Sequence, residues 1–151
     1  MRLFRPGLLA RWLYPEAVFR ISTTEKVLYL TFDDGPDQDS TPRLLEILKA
    51  HNIAALFFCN GNRAEIYPDI MVKIRDEGHL IGNHGYNHSN GWRTGTGDYV
   101  SNVIRAANFT SDKIFRPPFG RLSLKQKRIL LKSYKIFLWD IMPYDFDPRY
   151  R

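Results

Sequence analysis

Five places in this sequence carry side chains that can hold an ion, move a proton or grip an anion: Asp33-Asp34, Asn60, His84 with His88, Arg116, and Asp140 with Asp145. His84 and His88 are spaced i,i+4, which sets two imidazoles on one side of a helical turn, able to converge on one ion. Gly85 and Asn87 between them predict a loop or a single turn rather than a long helix. Taken alone, the pair also reads as two surface histidines, and Asp33-Asp34-Gly35-Pro36 reads as ordinary turn chemistry. The combination says more. Two histidines and one carboxylate form a three-ligand site with open positions, the arrangement of catalytic zinc. One aspartate of the pair can then ligate while its neighbour accepts a proton from bound water, the cation offsetting the repulsion between them. Arg116 offers a guanidinium that can orient the base carboxylate through paired hydrogen bonds, or else form a surface ion pair.

Those residues need elements to bring them together, and the hydrophobic pattern supplies alternating strands and helices. Val27–Phe32 is a short, apolar, β-prone run stopped by the turn after it. Ser40-Thr41-Pro42 predicts a helix start, with Ser40 as the capping hydroxyl and an end near His51-Asn52. Ile53–Cys59 is a second strand, stopped by Asn60-Gly61-Asn62, and a second helix from Tyr67-Pro68 finds its C-cap at Gly78. Leu80-Ile81 is a third strand. A polar stretch from Gly85 to Gly97 follows it, and Asp98 caps a third helix to about Asn108. Lys113–Arg116 and Tyr134–Trp139 are further strands flanking a helix from Leu124 to Ser133. Such alternation predicts an α/β fold with a parallel sheet, open or closed into a barrel. In these folds chemistry sits at the C-terminal ends of the strands, and every residue named above falls where a strand stops.

Composition excludes several classes. The chain has 151 residues, the length of one domain, with 44% hydrophobic and 25% charged residues, an ordinary globular mix. No apolar run approaches the roughly 18–20 residues of a membrane span. The single cysteine, Cys59, excludes an internal disulfide framework and a Cys-rich zinc site, and its place in an apolar strand makes it a small core residue. The 22 basic residues exceed the 16 acidic ones by 6. Lys125, Lys127, Arg128, Lys132 and Lys135 alternate with leucines and isoleucine, the pattern of a solvated helix face. No nucleic-acid module accompanies the charge, so no nucleic-acid partner is expected; attraction to an anionic envelope or polymer stays open. At the N-terminus Arg5, Pro6 and Arg11 interrupt the apolar run and no small-residue cleavage site follows, so a cleaved signal peptide is not expected. Residues 1–26 read either as an arm packed on the domain formed by residues 27–151 or as a peripheral membrane-surface segment. The compartment, cytoplasmic or envelope-associated, is left open.

Four ordered motifs then resemble one family. Thr31-Phe32-Asp33-Asp34-Gly35-Pro36, His84-Gly85-Tyr86-Asn87-His88 with its lead-in from Gly78-His79, Arg116-Pro117-Pro118-Phe119-Gly120, and Trp139-Asp140 with Asp145-Phe146 are similar to the motifs of the polysaccharide deacetylases, the NodB-like enzymes of carbohydrate esterase family 4. In the last motif Phe146 stands where Trp is common. The resemblance implies a distorted (β/α) barrel and metal-dependent removal of N-acetyl groups from a GlcNAc-containing polysaccharide, peptidoglycan-like or chitin-like. It implies that Asp34, His84 and His88 hold a divalent metal, zinc foremost, with cobalt, nickel or manganese as alternatives. It further implies Asp33 as general base, Arg116 as its holder, Asp145 as a residue tuning a catalytic histidine, and a substrate groove at Pro118, Phe119, Gly120 and Trp139, with the Phe119 N–H binding the oxyanion.

The family's general acid is a histidine in a later Leu-x-His motif. This chain has His51, His79, His84 and His88 and none after them. The expectation is therefore a barrel incomplete at its C-terminus, a fragment of a longer product or a short chain completed by another. Two other functions remain open at this stage: a non-catalytic glycan-binding module of the same fold, and a non-haem iron oxygenase, since two histidines and a carboxylate also suit Fe(II).

Overall fold

A computed structural model describes residues 3–5 and 7–143. In chain order the elements are β1 (Leu3–Phe4), α1 (Leu8–Leu13), β2 (Thr31–Asp33), α2 (Ser40–Ala50), β3 (Leu56–Cys59), α3 (Gly61–Ile66), α4 (Pro68–Asp76), β4 (Leu80–Asn83), α5 (Thr96–Ala107), β5 (Ile114–Phe115), a 3-10 turn (Pro118–Gly120), α6 (Leu124–Leu130), β6 (Lys135–Ile136) and β7 (Met142–Pro143). Strands β2 to β6 form one parallel sheet in sequence order, β2-β3-β4-β5-β6, while β1 and β7 pair antiparallel. A doubly wound sheet reverses its strand order at a switch point. Here the order never reverses, so crossovers of one hand carry every helix to one face, the arrangement of a barrel wall.

The helix side of the wall holds the apolar residues. Leu45, Leu48, Phe57, Cys59, Met71 and Ile74 form one buried cluster where α2 and α4 cover β3. Tyr99, Val103, Phe115, Leu122, Leu130 and Ile136 form a second, where α5 and α6 cover β5 and β6. Tyr14 belongs to this second cluster, its hydroxyl donating to Leu122 O at 2.9 Å and accepting from Leu122 N at 3.2 Å. Val18 bridges in parallel to Phe137, accepting from Leu138 N at 2.9 Å and donating to Ile136 O at 2.8 Å, so the N-terminal segment runs along the β6 edge. No helix among the described residues is long and apolar enough to cross a membrane.

Several sequence expectations shift in detail. The strand expected from Val27 begins only at Thr31, and Leu28 is 81% exposed. β-propensity needs a partner to pair with, and β2 is the edge strand of this sheet. Ladder partners likewise cut Ile53–Cys59 to Leu56–Cys59, and Tyr134–Trp139 to Lys135–Ile136. Asn60-Gly61-Asn62, expected as a turn, opens α3, whose first residue Gly61 packs against Tyr86 and Ala106 where a Cβ would meet atoms at 2.7 and 2.8 Å. Ser40 does not cap α2: the Asp37 carboxylate accepts from the backbone N–H groups of Asp39 and Ser40 and from the Ser40 hydroxyl. Asp98 lies inside the first turn of α5, whose N-cap is Gly95. Lys127 leaves the solvated face to donate to Leu13 O at 3.1 Å and Glu16 Oε2 at 2.8 Å.

Candidate metal centre and its base

Strand ends deliver the site. Asp33 closes β2 and Asp34 follows it, Asn83 closes β4 just before His84, and Arg116 follows β5. Because the strands are parallel and in register (Asp33 opposite Phe58, Cys59 opposite Asn83, Asn83 opposite Phe115), all of these residues emerge at one rim. The backbone there is unusual. Asp34, His88 and Phe119 sit at φ of 72°, 52° and 59°, the left-handed region that L-residues rarely adopt. Such conformations persist where surrounding structure holds them, and here they fall at the loops that aim the site's side chains.

The carboxylate of Asp34 and the imidazoles of His84 and His88 each offer a ligand atom within 4.8 Å of the others. His84 Nε2 lies 3.5 Å and His88 Nε2 3.0 Å from Asp34 Oδ1. An ion bound tetrahedrally at about 2.0–2.1 Å separates its ligand atoms by roughly 3.3–3.4 Å, so these spacings fit a zinc-sized ion with small adjustments. The chemistry of the donors fits as well. His84 Nδ1 lies 2.8 Å from the Arg116 carbonyl, which can only accept, so the proton sits on Nδ1 and the Nε2 lone pair faces the centre. Burial pushes the His84 pKa down against the pull of Asp33 and Asp34, which keeps the imidazole neutral as ligation requires. The hydrogen bond from His88 holds the Asp34 carboxyl below its usual range, with desolvation opposing.

Asp33 stands beside this cluster under the control of Arg116. Arg116 is buried, and its NH1 donates to Asp33 Oδ1 at 2.7 Å and to Thr31 Oγ1 at 2.8 Å. The expected paired bonds to the carboxylate are thus replaced by one bond to Asp33 and one to Thr31, which leaves Asp33 Oδ2 without an arginine partner. The guanidinium is fixed by rings instead, 4.1 Å from the centroid of Phe58 and 5.1 Å from that of Trp139. Burial lowers the Arg116 pKa, and the Asp33 carboxylate offsets only part of that shift. The remaining expected residues line the same rim. Pro118 is buried at the start of the 3-10 turn, Phe119 is exposed with its ring 4.5 Å from His88, and Gly120 at φ 65° lies so close to Trp139 that a Cβ would meet the indole at 2.9 Å. The turn's carbonyls take the N–H groups of Gly120 and Arg121; that of Phe119 is not among the turn's hydrogen bonds. Asp145 lies outside the described residues.

Sequence reasoning placed Asn60 at a strand end and Thr31 in a motif without giving either a role, and it did not single out Asn83 or Asn102. Thr31 shares Arg116 with the base. Asn60 donates to the Asp34 carbonyl at 3.2 Å. Asn83, fully buried, donates to Val103 O and Ser111 O and accepts from Gly85 N at 2.8 Å. Asn102 on α5 accepts from Tyr86 N at 2.8 Å, fixing the turn between the two histidines. The available signal was a polar amide at a strand end or inside an amphipathic helix, and many solvated asparagines give the same one.

Comparison with known proteins gives the family. The family model described as polysaccharide deacetylase matches residues 20–135. A peptidoglycan-N-acetylglucosamine deacetylase of Bacillus cereus is 37% identical over 124 residues, covering 78% of this chain and 45% of the relative. A chitooligosaccharide deacetylase of Azorhizobium caulinodans is 33% identical over 137 residues, covering 85% of this chain and 65% of the relative. Among solved structures, the Bc1960 peptidoglycan N-acetylglucosamine deacetylase superposes with a TM-score of 0.79 at 33% identity, covering 85% of this chain and 64% of that one. PdaA of Bacillus subtilis, a family 4 carbohydrate esterase, gives 0.77 at 27% identity over 95% of this chain and 65% of its own. The chain spans between about half and two thirds of the length of these proteins. With the family model matching most of its residues and the (β/α) wall matching the solved folds, the chain belongs to the polysaccharide deacetylase family.

Proposed function

We propose that this chain carries the metal centre and base of a hydrolase that removes N-acetyl groups from a GlcNAc-containing glycan, peptidoglycan-like or chitin-like. The observation that carries the reading is the convergence of Asp34, His84 and His88 beside an Asp33 already held by a buried arginine. The relatives' names, peptidoglycan and chitooligosaccharide deacetylases, support the substrate class.

Asp34, His84 and His88 would hold a divalent ion, which would supply Lewis acidity for polarising an amide carbonyl and for lowering the pKa of water toward neutral. Asp33 accepts the proton of the attacking water at Oδ2, since Oδ1 is engaged by Arg116. Arg116 holds that carboxylate in place, and Phe58 and Trp139 hold Arg116 in place. The Phe119 N–H would donate a hydrogen bond to the carbonyl oxygen as it becomes an oxyanion. Trp139, Pro118 and Phe119 form the wall against which an acetyl methyl would pack. The leaving amine must be protonated. Among the described residues no further histidine joins the site: His79 is at the opposite end of β4, its Nδ1 accepting from Ala55 N.

The whole gene product, loaded with zinc, is expected to release acetate from N-acetylated chitooligosaccharides or peptidoglycan fragments, and Asp33→Asn to stop it. Metal-loaded protein that releases no acetate from either substrate would overturn the reading. Glycan binding without release would then select the non-catalytic module, and iron-dependent oxygen uptake the oxygenase.

A further inference from the structure

The loop after the second histidine holds one side chain in an unexpected way. Trp92 is 62% exposed, yet its surroundings are tightly built. Its indole Nε1 donates to Leu122 O at 3.2 Å. The buried side chain of Gln126 donates to Gly91 O at 2.9 Å and Thr94 O at 3.0 Å, clamping the loop on both sides of the indole. At Gly91 the loop approaches so closely that a Cβ would meet Arg121 O. An indole that merely filled a gap would be covered; this one is anchored by its edge and presents its face. The guanidinium of Arg121 lies 4.8 Å from the centroid of Trp92 and 6.0 Å from that of Phe119. Phe119 is itself exposed, and its ring lies 4.5 Å from His88. Among the described residues Arg121 pairs with no carboxylate, as is true also of Arg43, Arg75, Arg93 and Arg128, but it alone of these lies over the rings of Trp92 and Phe119.

We propose that Trp92, Arg121 and Phe119 form a glycan subsite continuous with the metal centre that selects N-acetylated glycans bearing a carboxylate over neutral ones. The inference rests on the deacetylase reading for its glycan, but its own content is the charge preference. A pyranose presents a face of C–H bonds carrying slight positive charge, which suits the negative face of an aromatic ring. A planar guanidinium held beside that ring can meet a carboxylate with two parallel hydrogen bonds. The ring anchors the sugar and the arginine reads its substituent. The excess of basic over acidic residues favours approach of an acidic polymer.

The test measures the affinities of metal-loaded full chain for N-acetylchitotetraose, which is neutral, and for a tetrasaccharide of alternating N-acetylglucosamine and N-acetylmuramic acid, which carries lactyl carboxylates. The acidic tetrasaccharide should bind about tenfold more tightly at low salt, the gain of one charge-assisted contact. Arg121→Ala should abolish that preference and Arg121→Lys restore part of it. Trp92→Ala should weaken both glycans about fivefold, with Trp92→Phe intermediate. Both positions lie at the surface, and unchanged unfolding midpoints would confirm intact variants. Equal affinities in the parent protein, a preference that survives Arg121→Ala, unchanged binding in Trp92→Ala, or no binding of either glycan would each overturn the subsite. Acetate release from the same samples separates the two readings. Release without a charge preference sinks the subsite alone, and a charge preference without release sinks the deacetylase reading alone.

Discussion

Asp33 and Asp34 are neighbours with different surroundings, and the difference divides their labour. Asp34 turns through a left-handed backbone angle to meet two imidazoles, whereas Asp33 stays on the strand and meets Arg116. Substitutions should therefore separate. Asp33→Asn keeps an oxygen for Arg116 but cannot take a proton, so acetate release should fall by about 10²–10⁴-fold while zinc affinity, measured by chelator competition, stays near that of the parent. Asp34→Ala removes a ligand and should lose zinc in the same assay. If Asp33→Asn lost the metal as readily, the assignment of roles would be reversed.

At the scale of elements, the site depends on what stands behind the strand ends. Gly82 on β4 leaves room for the Phe58 ring, on whose face Arg116 lies. A Cβ there would sit 2.5 Å from that ring, so Gly82→Ala should cost about 1–3 kcal/mol of stability in urea unfolding and displace Arg116. Helix α5 contributes through Asn102, which holds the backbone between the two histidines. Asn102→Ala should weaken zinc binding by about 10–100-fold, the usual effect of removing a group that orients ligands, with little change in helix content by circular dichroism. An unchanged zinc affinity would show that the turn holds itself.

For the whole molecule, the N-terminal segment and the sheet share one core. The Tyr14 hydroxyl bonds both backbone groups of Leu122; Tyr14→Phe leaves the Leu122 N–H unpaired, while the carbonyl keeps the Trp92 indole, and should cost about 1–3 kcal/mol in the unfolding free energy. Cys59 reports on the integrity of the other cluster. Burial pushes its thiol up to about 12, and the side chain is fully covered. At pH 8 a thiol reagent should leave the native protein unmodified and label one equivalent after denaturation; rapid labelling of native protein would mean that β3 opens.

The barrel class came from the family resemblance, whereas the alternation of strands and helices and the two aspartates, two histidines and arginine at the rim are legible in the residue pattern. They depend on local pattern: short apolar runs ended by Asp, Asn or Arg, and histidines one turn apart. Other features came only with tertiary structure, because they depend on which partner a group finds. β2 lost the first residues of its apolar run for want of a neighbour to pair with. Lys127 turned from solvent to the N-terminal segment because an acceptor carbonyl and Glu16 were there. Arg116 divided its NH1 between Asp33 and Thr31 because Phe58 and Trp139 fix its plane. Spacing along a chain says which side chains can converge; the atoms packed behind them decide at what distance, in which protonation state and with which face open.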